Sequence, residues 1–161
     1  MIELEKKWLV DESKCPVFYL NFGEKNLEIL ETEQGYLEND LNDSWIVRFR
    51  HIFKHPSESN HYFLDLKSKG LLAREELTYS ISYEDYSESI QKCKGRIVRK
   101  TRYCYEENGY RLEIDKYNGH DFVTCEVEFK SMKEANQFVP PDWCIEEVTF
   151  DPKYKNMNLG L

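Results

Sequence analysis

The chain has 161 residues, enough for a single domain over 1–161 with its own hydrophobic core. Apolar residues make up 40% of it and charged residues 32%, which is ordinary for a globular protein, and counts of only seven glycines and five prolines exclude collagen-like and low-complexity chains. No apolar run is long enough for a membrane-spanning helix. The net charge of −8 argues against general nucleic-acid binding unless the basic residues are locally concentrated.

The cysteines and the N-terminal residues bear on disulfides, metal sites and localisation. The five cysteines are odd in number and include no C-x-x-C pair, so neither a disulfide framework nor a cysteine-rich zinc site is indicated. Residues 1–10 are charged from Glu3 onward and contain no apolar signal-peptide core. The absence of that core predicts a cytoplasmic protein.

Strand-like runs follow one another along most of the chain. The predicted strands are 2–9, 28–37, 45–53, 61–69, 72–81, 96–105, 110–117, 121–130 and 145–150. Asn108-Gly109 and Asn118-Gly119 favour tight hairpin turns, because Asn-Gly tolerates positive φ angles. They predict an antiparallel meander over 96–130. Two more turn clusters lie at 39–43 and 56–60.

Two short helices are predicted between the strands. The first covers 83–94, where large apolar side chains recur at helical spacing after a capping serine at position 82. The second starts at Ser131, which forms a capping box with Glu134, and stops before Pro140. About nine strands with mostly hairpin connections predict a mainly β (α+β) fold, a closed or nearly closed antiparallel barrel.

Charged residues recur at alternate positions of the predicted strands, so they project from one face of each strand. One set, the basic wall, is Lys7, Arg48, Arg50, Lys67, Lys69, Arg74, Lys100 and Arg102. The other set, the acidic wall, is Glu3, Glu5, Glu76, Glu113, Asp115, Glu126, Glu128 and Glu147. A sheet with one face in water also alternates charged and apolar residues. Here, however, several strands carry charges of one sign only, which is costly unless an opposite charge lies between them.

An inward charged face would make the barrel a tunnel with a basic and an acidic side. Clustered carboxylates select hard divalent cations such as Mg²⁺ or Mn²⁺. Clustered arginines and lysines select a polyanion, and arginine offers paired contacts to phosphate oxygens. A metal-bound polyphosphate would satisfy both sides at once.

The charged residues fall into motifs that occur in one order along the chain. They are Glu3-Leu4-Glu5-Lys6-Lys7, Gln34-Gly35-Tyr36-Leu37, Val47-Arg48-Phe49-Arg50, Lys67-Ser68-Lys69-Gly70, Arg74-x-Glu76, Lys100-Thr101-Arg102-Tyr103, Glu113-Ile114-Asp115, Glu126-Val127-Glu128-Phe129, Glu147-Val148-Thr149 and Tyr154-x-Asn156. In this order the chain resembles the CYTH domains, also called triphosphate tunnel metalloenzymes, over nearly its whole length. One departure is Thr78, where many members carry a second glutamate after the Arg74 motif.

The resemblance implies an eight-stranded closed antiparallel β-barrel around a tunnel, with a few flanking helices. It further implies a hydrolase that uses Mg²⁺ or Mn²⁺, with two metals, to act on a small-molecule triphosphate. The small prokaryotic members are mostly inorganic triphosphatases, which split tripolyphosphate into pyrophosphate and phosphate.

Individual roles also follow from the resemblance. The expected metal ligands are Glu3, Glu5, Glu76, Asp115, Glu126, Glu128 and Glu147. The expected triphosphate-binding residues are Arg48, Arg50, Lys67, Lys69, Arg74 and Arg102. Lys7 and Lys100 would stabilise developing charge, and Asp115 would place a second metal beside the attacking water. Tyr36 would contact substrate or metal-bound water, or serve only as a barrel aromatic.

Three other functions stay open at this point. One is an adenylyl cyclase of the CYTH type, and another is a thiamine- or nucleoside-triphosphatase. The third is a module that binds a nucleotide or polyphosphate without catalysis. The oligomeric state is open as well, with a homodimer among the options.

Overall fold

The computed structural model describes residues 2–19, 26–38, 45–69 and 72–160. Its strands are β1 Ile2–Val10, β2 Glu28–Tyr36, β3 Trp45–His55, β4 Ser59–Ser68, β5 Ala73–Ser80, β6 Ile97–Glu107, β7 Tyr110–Tyr117, β8 Val123–Phe129 and β9 Cys144–Glu147. Its α-helices are α1 Tyr83–Ile90 and α2 Met132–Gln137. No helix in these described ranges is long and apolar enough to cross a membrane.

Eight of the strands close into an antiparallel barrel, which confirms the predicted fold. They are paired in the order β5-β4-β3-β2-β6-β7-β8-β1, and β1 also pairs with β5 to complete the ring. The first residues of β1, Ile2–Leu4, form the pairing with β5. Its last residues, Trp8–Val10, pair instead with β9, so β9 lies beside the ring rather than within it.

Tight turns hold the meander together as predicted. Asn108 and Gly109 join β6 to β7 with φ angles of 52° and 83°, the left-handed conformation that a two-residue hairpin turn needs. Gly119, between β7 and β8, has a φ of 85°. The cluster at 56–60 joins β3 to β4, although β4 begins at Ser59, earlier than predicted. The predicted turn at 39–43 lies outside the described residues.

The helices begin where predicted, and α1 ends early. Ser82 accepts a hydrogen bond from the Asp85 amide at 3.0 Å, and Ser131 accepts one from the Glu134 amide at 3.1 Å. After Ile90 the chain tightens into a 3₁₀ turn over Gln91–Cys93, so only part of the predicted helix 83–94 is α-helical. These caps satisfy amides that a helix N-terminus would otherwise leave unpaired.

The main apolar core lies on the outer side of the barrel wall. On β7, Leu112 and Ile114 are buried in this core, which also holds Trp8 of β1 and Ala135 of α2. The residue between them, Glu113, faces the barrel interior instead. Because side chains alternate across a strand, apolar residues that pack outward leave charged residues facing inward.

Gly35 of β2 lets the barrel wall approach the 3₁₀ turn after α1. A Cβ at this position would lie 2.6 Å from Cys93 Cβ and 2.7 Å from Ile90 Cδ1. We therefore expect Gly35→Ala to destabilise the fold by about 1–3 kcal/mol through overpacking. Thermal unfolding of the variant and of Gly35→Ala/Ile90→Val, which removes one of the two clashing atoms, would measure this. An unchanged melting temperature in the single variant would contradict the contact.

Candidate active site

A cavity of about 610 Å³ lies inside the barrel, and most of the predicted charged residues line it. The predicted residues that face it are Glu3, Glu5, Lys7, Tyr36, Arg48, Arg50, Lys67, Arg74, Glu76, Lys100, Arg102, Glu113, Glu126 and Glu128. They come from all eight barrel strands and converge because each strand turns alternate positions inward.

Three predicted site residues do not line this cavity. Lys69 follows the end of β4 and is exposed. Glu147 is also exposed, and its carboxylate accepts a hydrogen bond from Thr149 Oγ1 at 2.8 Å. It lies opposite Trp8 in the β1–β9 pairing, so it shares the outer face with that tryptophan. Asp115 faces inward but is fully buried behind its own partners.

Asp115 binds two basic side chains of the neighbouring strand β6. Its carboxylate accepts from Lys100 Nζ at 2.8 Å and from Arg102 Nε and Nη2 at 2.7 and 2.8 Å. Burial opposes its ionisation, yet Arg102 and Lys100 still lower the pKa of Asp115. These contacts make Asp115 a support for Lys100 and Arg102. Asp115 does not reach the cavity surface, where it was predicted to bind a metal.

Asp65 plays the same structural part on the other side of the barrel and is absent from the predicted site residues. It lies directly opposite Arg48 in the β3–β4 pairing. Its carboxylate accepts from Arg48 Nε at 2.8 Å, from Arg50 Nη2 at 3.1 Å and from Thr78 Oγ1 at 2.8 Å. The available signal in the sequence is its position two residues before Lys67, which puts both on one face of β4.

Thr78 stands where the resemblance implied a carboxylate, and its hydroxyl has a defined hydrogen-bond partner. The hydroxyl hydrogen bond to Asp65 adds a neutral donor to a carboxylate that two arginines already contact. A buried charge of this kind is tolerated only when its oxygens are satisfied in this way.

The acidic side of the cavity crowds carboxylates together. In the β1–β8 pairing Glu5 lies directly opposite Glu128, and Glu126 lies opposite Glu113 in the β7–β8 pairing. Burial, with the nearby charges of Glu126 and Glu3, raises the pKa of Glu5 to about 8. Burial and a hydrogen bond to Glu3 raise the pKa of Glu76 to about 7. Like charges held this close favour protonation or a bound cation.

These residues fit a hard divalent cation in chemistry. Glu3, Glu5, Glu126 and Glu128 all offer carboxylate oxygens to the same cavity, and burial also raises the pKa of Glu128. Within the part of the chain that the structure describes, no three acidic, histidine or cysteine side chains already stand close enough to hold a metal. Cation binding would therefore have to draw these carboxylates together.

The basic side of the cavity differs in how firmly its members are held. Arg102 makes paired contacts to Asp115 and also reaches Glu113 at 3.0 Å and Glu126 at 3.3 Å. Lys67 is looser, with its Nζ 3.5 Å from Glu3 and 3.7 Å from Glu76. The loose ammonium can turn toward an anion at lower cost than the guanidinium group of Arg102.

Residues after β9 form one end of the cavity, at the motif Tyr154-x-Asn156. Lys7 Nζ lies 3.1 Å from Glu126 and donates to the Tyr154 carbonyl at 2.8 Å. Tyr117 donates to Asn156 Oδ1 at 2.8 Å, which ties the same segment to β7. Tyr36 lines this part of the cavity and also packs in an apolar cluster, with its hydroxyl accepting from Gln34 at 2.8 Å.

A closed eight-stranded barrel whose cavity has a basic and an acidic side defines a class of β-barrels with a charged interior, and comparisons with known proteins agree with this fold. No family model matches the chain. An inorganic triphosphatase of Nitrosomonas europaea is 35% identical over 164 residues, covering 100% of this chain and 98% of the relative. An inorganic triphosphatase of Acetivibrio thermocellus is 30% identical over 127 residues, covering 78% of this chain and 77% of the relative.

A solved structure supports the same relationship. The crystal structure of the inorganic triphosphatase NE1496 is 34% identical, covers 99% of this chain and 97% of its own, and matches with a TM-score of 0.62. The chain belongs to the family of these inorganic triphosphatases, the CYTH or triphosphate tunnel metalloenzymes.

Carboxylate crowding leads us to expect that the stability of the protein without bound metal depends on pH. The folded-state pKa of Glu5 is raised from 4.5 to about 8, so its protonated form favours folding, and this contribution is lost as pH rises through that interval. Between these pH values the free energy of unfolding should fall as pH rises, and we expect a smaller fall in Glu5→Gln. Denaturant unfolding with chelator present would measure it, with the exposed Glu88→Gln as the control. Parallel pH profiles for the wild type and Glu5→Gln would contradict the crowding.

Proposed function

We propose that this protein hydrolyses inorganic tripolyphosphate to pyrophosphate and phosphate in the cytoplasm, with Mg²⁺ or Mn²⁺ bound in the tunnel. The observation that carries the proposal is the barrel cavity, in which basic side chains face crowded carboxylates. Its relatives named inorganic triphosphatases support the choice of substrate. A metal-bound triphosphate is the ligand that neutralises both sides of such a cavity.

The basic side chains would hold the substrate along the tunnel. Arg48, Arg50 and Arg102 are fixed by buried carboxylates and would present guanidinium N–H groups to phosphate oxygens. Lys67 and Arg74, with longer contacts to Glu3, would turn from that carboxylate toward the substrate. Phosphoryl transfer depends mainly on positioning and charge stabilisation, so this arrangement needs no nucleophilic side chain.

The carboxylates would supply the metal sites. Glu3, Glu5, Glu126 and Glu128 would hold the first cation, and the role of Glu76 would be to share this task from β5. When bound, such a cation offsets phosphate charge and acidifies a coordinated water. Lys7 and Lys100 reach the same space and would stabilise charge on the terminal phosphate as the bond to the pyrophosphate oxygen breaks.

Phosphate release from a panel of triphosphates tests this function. With Mg²⁺ or Mn²⁺, we expect the highest kcat/KM on tripolyphosphate and one pyrophosphate per phosphate released. ATP and thiamine triphosphate serve as competing substrates. Cyclic AMP from ATP would instead indicate a cyclase, and tight binding without turnover would indicate a binding module.

The acidic wall can be tested within the same assay. We expect Glu5→Gln to lower kcat roughly a hundredfold or more, because several kcal/mol of metal-dependent stabilisation is lost and each 1.4 kcal/mol is about tenfold. The matched control is Glu33→Gln, which removes a carboxylate that binds Arg99 and Tyr86 outside the cavity. If the activity of Glu5→Gln stays within a few-fold of the wild-type activity, the proposed role of Glu5 as a metal ligand is wrong.

Ligand binding should also stabilise the fold when both walls are engaged. A non-hydrolysable imidotriphosphate with Mg²⁺, at a hundred times its dissociation constant, should add about 2.7 kcal/mol, or about 5–10 °C in melting temperature. Either component alone should give a much smaller shift, because one wall stays unmatched. Equal shifts from orthophosphate and the triphosphate analogue would count against a tunnel built for three phosphates.

A further inference from the structure

Two aspartates, one on each side of the barrel, are fully buried beneath basic pairs. Asp65 of β4 binds Arg48 and Arg50 of β3, and Asp115 of β7 binds Lys100 and Arg102 of β6. In both cases the strand pairing sets an arginine directly opposite the aspartate. The same arrangement therefore occurs twice, built by the register of two different strand pairs.

Asp65 is placed to act on the arginines rather than on a ligand. It is 0% exposed and is absent from the cavity lining, whereas Arg48 and Arg50 both line the cavity. The donors around it are the two guanidinium groups and the Thr78 hydroxyl. A substrate in the tunnel would thus meet the arginines and not the carboxylate behind them.

Two arginines at alternate positions of one strand repel each other unless a counter-charge lies between them. Asp65 Oδ2 is 2.8 Å from Arg48 Nε and 3.0 Å from Arg50 Nε, so one oxygen bridges the pair. The Arg50 guanidinium also lies 5.1 Å from the centre of the Phe63 ring, which limits where it can turn. With both groups held, little conformational freedom remains to be lost when phosphate binds.

We propose that Asp65 is a positioning residue that holds the guanidinium groups of Arg48 and Arg50 in the geometry that binds the triphosphate. The proposal rests on the proposed function, because it assigns these arginines to the substrate. Thr78 completes the support by donating to the second carboxylate oxygen of Asp65. The arginines are then ready to form charge-assisted, paired hydrogen bonds with phosphate oxygens.

Steady-state kinetics on tripolyphosphate test this role. Asp65→Asn keeps the shape of the side chain but removes the charge that binds both arginines. We expect KM to rise roughly tenfold or more with kcat within about threefold, the pattern of lost uniform substrate binding. The control is Glu33→Gln, which breaks a more exposed carboxylate–arginine contact on the outer face and should leave both constants near the wild-type values.

A double-mutant cycle separates positioning from general stability. If Asp65 acts through Arg50, Asp65→Asn should cost much less in an Arg50→Ala background than in the wild type. Asp65→Glu should recover part of the lost affinity. An equal cost in both backgrounds, or a fall in kcat with KM unchanged, would overturn the proposal.

Two further measurements keep the test decisive if Asp65→Asn does not fold. Thr78→Val leaves the carboxylate in place and should raise KM about two- to threefold. It should also move the Arg48 Nε–H signal in NMR spectra from its wild-type position. An unchanged signal and an unchanged KM would overturn the proposal. If the wild type fails to hydrolyse tripolyphosphate, the proposed function fails by itself. Equilibrium binding of imidotriphosphate with Mg²⁺ to the wild type and Thr78→Val then still tests whether this support sets affinity.

Discussion

The structure depends on pairing ionised side chains across strands inside a closed sheet. An isolated carboxylate in such a place would cost several kcal/mol, and both Asp65 and Asp115 are fully buried. Each is tolerated because the strand register puts an arginine directly opposite it. A second basic side chain lies two residues from that arginine, on the same inward face of the strand. A shift of one residue in either pairing would turn these charges into the apolar outer layer. The charged interior thus also fixes the register of the barrel.

The same constraint explains where the apolar residues pack. Because the interior takes the charges, the other face of each strand must be covered from outside. Helix α2 packs on β1 and β8, and α1 packs on β3 and β4. The buried cluster around Trp8, Leu112 and Ile114 lies between the barrel wall and this cover. Stability comes largely from the outer layer, so charged residues of the tunnel can be arranged for binding.

Most of the barrel could be predicted from local pattern, whereas the supports of the site could not. The alternation of charged and apolar residues and the Asn-Gly turns are local features of one strand or hairpin. They predicted the strands and most of the inward-facing charged residues. The role of Asp65 depends on which residue of β3 lies opposite it, a pairing between strands that alternation does not reveal. Glu147 shows the converse, because its strand pairs with β1 beside the ring and leaves its side chain outside the tunnel. Asp115 was expected at the surface of the cavity, but Lys100 and Arg102 cover it.

Before any ligand binds, the basic and acidic walls differ in how well their charges are balanced. This difference affects how metal and triphosphate would bind. The basic pairs on Asp65 and Asp115 already share a buried counter-charge, whereas burial and neighbouring carboxylates raise the pKa of Glu5 and Glu76 above its usual range. On the proposed function, a divalent cation would replace those protons without leaving the carboxylates to repel one another. By drawing charge from Glu3, the cation would also weaken the attraction of Glu3 for Lys67 and Arg74. On the proposed function, cation binding therefore prepares the basic wall for phosphate, and metal and triphosphate favour each other in the tunnel.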